Sequence, residues 1–231
     1  MNASVGGKSR RAAGRVFGAL AAVVLLSVSL AVLLSVPAVN AQGESFTDTR
    51  DGKTYRTVQI GDQTWMAENL NYKTDSSTCY GNKERNCRKY GRLYDWDDAM
   101  KACPAGWHLP SNDEWWVLTD FVGGREVAGT KLKSKTGWSK GQYYKAATDD
   151  YGFSALPGGY RIPDGIFHYV INISGFYDAG SYGRWWSATE GGATFARYWD
   201  MSYSYEGVSW NYYDKAFQFS LRCVEDKAVQ R

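Results

Sequence analysis

The stretch Leu93-Tyr94-Asp95-Trp96-Asp97-Asp98-Ala99-Met100-Lys101-Ala102-Cys103, with Pro110-Ser111-Asn112-Asp113-Glu114-Trp115-Trp116-Val117-Leu118-Thr119-Asp120-Phe121-Val122 close behind it, decides how the rest of the chain is read. In its first half Leu93, Trp96, Ala99, Met100 and Cys103 recur at spacings of three and four, while Asp95, Asp97, Asp98 and Lys101 take the other side. That pattern predicts an amphipathic helix over residues 93–103. In the second half Pro110 blocks continuation from before, Ser111 can cap, and Glu114 three residues on completes a capping box. Trp115, Leu118, Phe121 and Val122 form the apolar face of this second helix, and Gly123-Gly124 ends it.

Upstream, residues 54–60 alternate with strand period and turn through Gly61-Asp62 into residues 63–66, a hairpin pattern. Beyond residue 125 the chain breaks into short apolar pieces between Gly, Asn, Asp and Ser, and only residues 193–203 and 215–224 promise substantial strands. With no internal repeat and no low-complexity linker, this describes one mixed domain.

The 231 residues hold 27 Lys and Arg against 24 Asp and Glu, a formal net charge of +3. Lys8, Arg10, Arg11 and Arg15 fall in the first 41 residues, which contain no acid, so the remainder carries 23 bases against 24 acids. Such a body has no basic stripe with which to displace counterions from phosphates, and nucleic acid is set aside as a partner. The basic run leads into the apolar residues 16–36, followed by Pro37 and the short side chains before position 42. Residues 1–41 therefore read as a signal peptide cleaved after Ala41 or, because 21 apolar residues can cross a bilayer, as an N-terminal membrane anchor. Either way the positive flank stays in the cytoplasm and residues 42–231 form a single exported domain, secreted or held at the cell envelope. The membrane is a partner only through that segment, if it is uncleaved.

Cys79, Cys87, Cys103 and Cys223 all lie in the exported part, where an oxidising compartment favours bridges, and they allow three pairings. Cys79 and Cys87 are eight apart in a polar, turn-like stretch suited to a local clip, which leaves Cys103 with Cys223. Closing a loop of about 120 residues is worth roughly 4 to 5 kcal/mol in the chain-entropy description. With no C-x-x-C spacing and only His108 and His168 to help, no zinc site is expected.

Several long runs carry a resemblance. They are Val58-Gln59-Ile60-Gly61-Asp62-Gln63-Thr64-Trp65-Met66-Ala67-Glu68-Asn69-Leu70, Tyr90-Gly91-Arg92-Leu93-Tyr94-Asp95-Trp96, Cys103-Pro104-Ala105-Gly106-Trp107-His108-Leu109-Pro110-Ser111, Gly152-Phe153-Ser154-Ala155-Leu156-Pro157-Gly158-Gly159-Tyr160-Arg161, Trp186-Ser187-Ala188-Thr189-Glu190, and Phe219-Ser220-Leu221-Arg222-Cys223-Val224-Glu225-Asp226. In this order, over about residues 46–226, they resemble the Fibrobacter succinogenes major paralogous domain, and two of them are similar to the C-type-lectin-like superfamily that includes the formylglycine-generating enzymes. The resemblance implies an α+β domain with two helices, small antiparallel sheets and a long loop-rich region. It also implies a disulfide from the early helix to the last strand, which is the Cys103–Cys223 pairing.

The chemistry of those relatives is not repeated in the residues. None of the five prolines supplies the Glu-Pro-Asn or Gln-Pro-Asp triplet of a calcium-dependent lectin site, and Trp210-Asn211 is followed by Tyr212 where an acid should stand. The copper-binding cysteine pair of the formylglycine-generating enzymes has no counterpart, since the C-terminal part holds only Cys223. His108 beside a helix cap reads as structural, Glu114 as a cap, and Asp95, Asp97, Asp98, Asp149 and Asp150 as solvated acids. No cofactor is expected and no catalytic role is assigned.

What remains is aromatic. Tyr198, Trp199, Tyr203, Tyr205, Trp210, Tyr212 and Tyr213 crowd one short span, with Trp138, Tyr143, Tyr144, Phe167 and Tyr169 among the loops before it. Alternation turns Trp199 and Met201 to one inward face. Trp138, Tyr205, Trp210 and Tyr212 are the candidate ligand contacts, because flat rings with polar edges stack on sugar C–H faces and also suit protein recognition. The function expected is non-catalytic binding of an extracellular glycan or protein ligand. The alternatives are an envelope structural or adhesion protein that self-associates and, third, a formylglycine-generating-type enzyme.

Overall fold

The alternating run at the start of the domain forms its hairpin. In the computed structural model, which describes residues 44–164 and 175–227, β1 (Ser45–Thr47) pairs antiparallel with β2 (Thr54–Ile60), and β2 with β3 (Gln63–Met66). The turn needs Gly61: its φ is +59°, and a Cβ there would stand 2.9 Å from the Phe121 ring. The segment 1–41, with its export or anchoring role, and the loop residues Phe167 and Tyr169 lie outside the described residues. No helix among the described residues is long and apolar enough to cross a membrane.

The helix expected over residues 93–103 splits in two. Leu93–Tyr94 is a short strand, β4, and the helix runs only over Trp96–Ala102, because the Asp95 carboxylate accepts the Asp98 amide at 2.9 Å and caps it there. Leu93, Trp96 and Ala99 are buried, but Met100 is 43% exposed, contrary to its place in the expected apolar face. Just before this, α1 (Glu84–Tyr90) went unforeseen, since Glu84, Arg85, Arg88 and Lys89 leave it almost no apolar period. The Cys79–Cys87 disulfide and the burial of Tyr90 hold it instead. The split helix is α2.

After β5 (Trp107–His108) the capping box starts α3 (Asn112–Phe121): Ser111 Oγ accepts the Glu114 amide and Glu114 Oε2 accepts the Ser111 amide at 2.8 Å. Trp115, Leu118 and Val122 face inward as the periodicity requires, while Phe121 is 53% exposed and leans on Gly61 and Tyr151. A further helix, α4 (Arg125–Leu132), follows at once; polar residues and Gly129 thin its apolar stripe to Ala128 and Leu132. Gly129 is there for close approach, since a Cβ would stand 2.1 Å from the Gly207 carbonyl oxygen.

The rest is strand and loop: β6 (Tyr160–Ile162) pairs with β7 (Gly175–Tyr177), and β8 (Tyr182–Glu190), β9 (Phe195–Ser202) and β10 (Ser209–Asp214) form an antiparallel meander. The single strand expected over residues 215–224 is two short ones, β11 (Phe219–Ser220) and β12 (Val224–Glu225). They belong to different sheets, ordered β10-β9-β8-β11-β4 and β1-β2-β3-β12-β5, so Leu221-Arg222-Cys223 must step across between them. The crossing backbone stays satisfied because Leu221 and Cys223 carbonyls accept the amides of Leu70 and Met66. The class is α+β, with four α-helices and small, mostly antiparallel sheets among the described residues.

Two buried clusters flank the β8–β9 ladder. Trp186 and Tyr198 face one, with Phe217, Phe219, Leu221 and the Cys103–Cys223 disulfide. Trp185, Trp199 and Met201 face the other, with Trp65, α3 and α4. Two cations are fully enclosed as well. Lys133 donates to the Ser202 and Tyr205 carbonyls, and Arg222 to Asn69 Oδ1 and the carbonyls of Phe153 and Ser154.

Candidate functional site

Along β9, Phe195, Arg197 and Trp199 share a face by strand alternation, and the register sets Asp214, Tyr212 and Trp210 opposite them on β10. Trp199 is the buried end of this face, stacked on Trp115 at 5.7 Å and met edge-on by Trp116 at 5.0 Å. Toward the solvent the same face continues with Trp210, half-buried, and Tyr212, 38% exposed, their rings perpendicular at 6.1 Å. Arg197 joins the two: its guanidinium lies 4.6 Å from the Trp210 ring and 4.9 Å from the Tyr212 ring, and its Nε donates to the Tyr212 hydroxyl at 2.8 Å. The Tyr212 ring packs closely against Gly191, where a Cβ would come within 2.1 Å of it. β10 is the edge strand of its sheet, so among the described residues no further strand pairs beside it.

The four candidate contacts therefore separate. Trp210 and Tyr212 come together on one open face. Trp138 does not join them: it is 5% exposed, its Nε1 donates to the Ala155 carbonyl, and its ring packs in the core beside Lys133, so it cannot stack on a ligand. Burial pulls the Lys133 ammonium down to about 8. Tyr205 is 38% exposed, yet its loop is fastened to α4: its hydroxyl donates to Glu126, its carbonyl accepts from Lys133, and the Glu206 carbonyl accepts the Thr130 amide. The bond to Glu126, reinforced by burial, raises the Tyr205 phenol above its ordinary value, and the same bond holds the Glu126 carboxyl low.

Arg197 and Phe195 were not visible in the sequence as site residues. Period two from Trp199 is the signal that finds them, but only once β10 is known to pair with β9. Tyr198 and Tyr213, in the same aromatic run, turn the other way and pack on Phe219 at 4.9 and 6.0 Å.

The acids and His108 are structural in their contacts. His108 Nδ1 lies 2.6 Å from Asp226 and Nε2 2.8 Å from Glu114, so the protonated ring donates to both. Burial works against that charge, but the bonds to the two carboxylates outweigh it and the histidine is held above its ordinary value. Asp95 and Asp149, rather than standing free in solvent, accept hydrogen bonds from the Asp98 amide and from Ser154. Asp98 accepts the hydroxyls of Thr74 and Ser76, and these bonds hold its carboxyl low although burial opposes them. All four cysteines are spent on the two disulfides, which fit an oxidising compartment and leave no thiolate for a soft metal.

These features define a small α+β domain stapled by disulfides, with an aromatic face on an open sheet edge. The chain belongs to the Fibrobacter succinogenes major domain family, whose model matches residues 58–225. No curated protein and no solved structure matches it.

Proposed function

We propose that the domain is a non-catalytic binding module, working outside the cytoplasm, that recognises a glycan through Arg197, Trp210 and Tyr212. One arrangement carries the reading: two perpendicular rings on an exposed edge strand, held in place by a stacked guanidinium. A sugar ring presents an apolar C–H face to one aromatic plane, while its hydroxyls meet the phenol and the guanidinium. Preorganisation supports it further, since the rigid support from Trp199 and Gly191 leaves little rotamer entropy to lose on binding.

The disulfides are the support for export. The link from the end of α2 to the approach of β12 supports placing the family in the C-type-lectin-like superfamily. An enzyme of the formylglycine-generating type is disfavoured because no C-terminal thiol pair is free.

The test is retention of the full-length protein on insoluble cellulose, xylan and chitin. Retention on at least one, lost in Trp210→Ala and in Tyr212→Ala with melting temperatures close to the parent, is expected. Retention that both variants keep, or none on any polymer, overturns the glycan reading. The open edge of β10 favours a second reading, pairing with another copy or with a protein strand. Concentration-dependent self-association without retention would replace glycan recognition with a structural or adhesion role.

A further inference from the structure

We infer a second binding site, for an acidic saccharide, in the cavity of about 480 Å³ between α1, the hairpin strand β2 and the chain after β3. None of its lining residues belongs to β9 or β10, so it is separate from the aromatic face. Its volume lies in the range that encloses small ligands and far exceeds what a single inorganic anion fills.

The lining carries Lys53, Arg56, Arg88 and Lys89 against one carboxylate, Glu68. Two of these cations are occupied: Lys53 bonds Asp51 and the Asn71 carbonyl at 2.7 and 2.6 Å, and Arg56 pairs with Glu68 at 3.3 Å. Arg88 and Lys89 have no carboxylate partner among the described residues, and the Lys89 ammonium rests 4.6 Å from the Tyr90 ring centre. Behind the floor lies a third unneutralised charge. Arg222 is fully buried, and every hydrogen bond it makes goes to a neutral oxygen, two of them to Asn69 Oδ1 at 2.8 and 3.2 Å. Burial lowers its pKa to about 9, with Asp149 and Glu68 opposing only through space, so it stays charged at neutral pH. Asn69 and Ser154, which hold it, themselves line the cavity, so the field of a buried cation reaches the space a ligand would fill.

A carboxylate or sulfate facing Arg88 and Lys89 is the complementary group. Thr136 and Asn71 in the lining are neutral hydrogen-bonding side chains, which suit hydroxyls beside that charge and so a uronate or sulfated sugar rather than a bare ion. Nucleic acid fits less well: the rings in the lining, Tyr55 and Tyr90, are 3% and 8% exposed and offer no platform for stacking bases.

The experiment is calorimetric titration of the full-length protein with a galacturonate hexamer, a heparin hexasaccharide, a neutral glucan hexamer, sodium sulfate and a single-stranded DNA dodecamer. Binding to at least one acidic saccharide and not to the glucan is expected, weakening with added salt as surface charges are screened. Arg88→Glu with Lys89→Glu should weaken it by about tenfold or more. Glu68→Gln, which removes the opposing charge but keeps an acceptor, should tighten it, a gain that misfolding cannot produce. Trp210→Ala should leave it unchanged, which separates this site from the glycan reading of the aromatic face. The inference is overturned if the double variant binds as well as the parent, if Glu68→Gln does not gain, if DNA binds equally, or if sulfate alone competes at equal anion concentration.

Discussion

Each side of the β8–β9 ladder sets an arginine among aromatic rings, and the two arginines have different fates. Arg184 lies 4.1 Å from the Tyr160 ring, 5.2 Å from Tyr182 and 5.9 Å from Tyr198, on the side that β6 and β7 help to cover; its side chain is 15% exposed and its buried Nε has no hydrogen-bond partner among the described residues. Among the described residues Arg197 lies over two rings, spends its Nε on the Tyr212 hydroxyl, and sits on β9, one strand in from the edge of the sheet. Similar local chemistry is thus core on one side and display on the other. What differs is whether another layer of chain arrives to close the cage.

The comparison breaks most easily at the tryptophan that seats the open face. Trp199→Ala is expected to cost about 3 to 5 kcal/mol in denaturant unfolding and to abolish polysaccharide retention, because Trp210 stands opposite it. A loss under about 1 kcal/mol would mean that Trp115 and Trp116 fill the space and that the outer rings do not depend on the inner ones.

Next comes the closed cage: Arg184→Met should destabilise by about 2 kcal/mol, the scale of a desolvated cation–π set, without affecting retention. If the variant is instead more stable, the unpaired Nε dominates and the cage is a strained feature rather than a stabilising one. Arg197→Met sharpens the contrast. Its stability cost should stay under about 1 kcal/mol, since the group is near the surface, while retention falls with the loss of ring positioning.

The smallest effect concerns Asp200, which the register places opposite Arg184. Burial raises its carboxyl above the ordinary value, and Arg184 only partly offsets this. Below the unfolded value of about 3.9 both states are protonated; as pH rises toward the folded value the unfolded chain releases its proton first, so stability is lost across that window. Asp200→Asn should therefore be slightly more stable than the parent at pH 7 and lack that part of the pH dependence. Parallel pH curves for the two proteins would show that Asp200 is not held protonated by its surroundings.

Legibility followed the kind of signal each element carried. The β2–β3 hairpin and α3 were readable because period two, a Gly turn and a capping box are local patterns whose energetics are settled within a few residues. Asp95 was misplaced because an N-cap and a polar helix face use the same residue type, and only the backbone at Asp95 distinguishes them. α1 was missed because a disulfide and one buried tyrosine hold it, not a stripe. At the site, Trp210 and Tyr212 were found by composition, but the same composition also pointed to Trp138, which the long loops fold inward under Lys133.

The amino-acid order alone was enough for the mixed domain, the aromatic loading and the local clip between Cys79 and Cys87, since each rests on neighbours in the chain. Tertiary structure alone decided which rings face water, why residues 215–224 break between two sheets, and that Arg197 holds Trp210 to Tyr212. Strand register and layer coverage are contacts between residues far apart in sequence, and side-chain type does not encode which partner arrives to cover it.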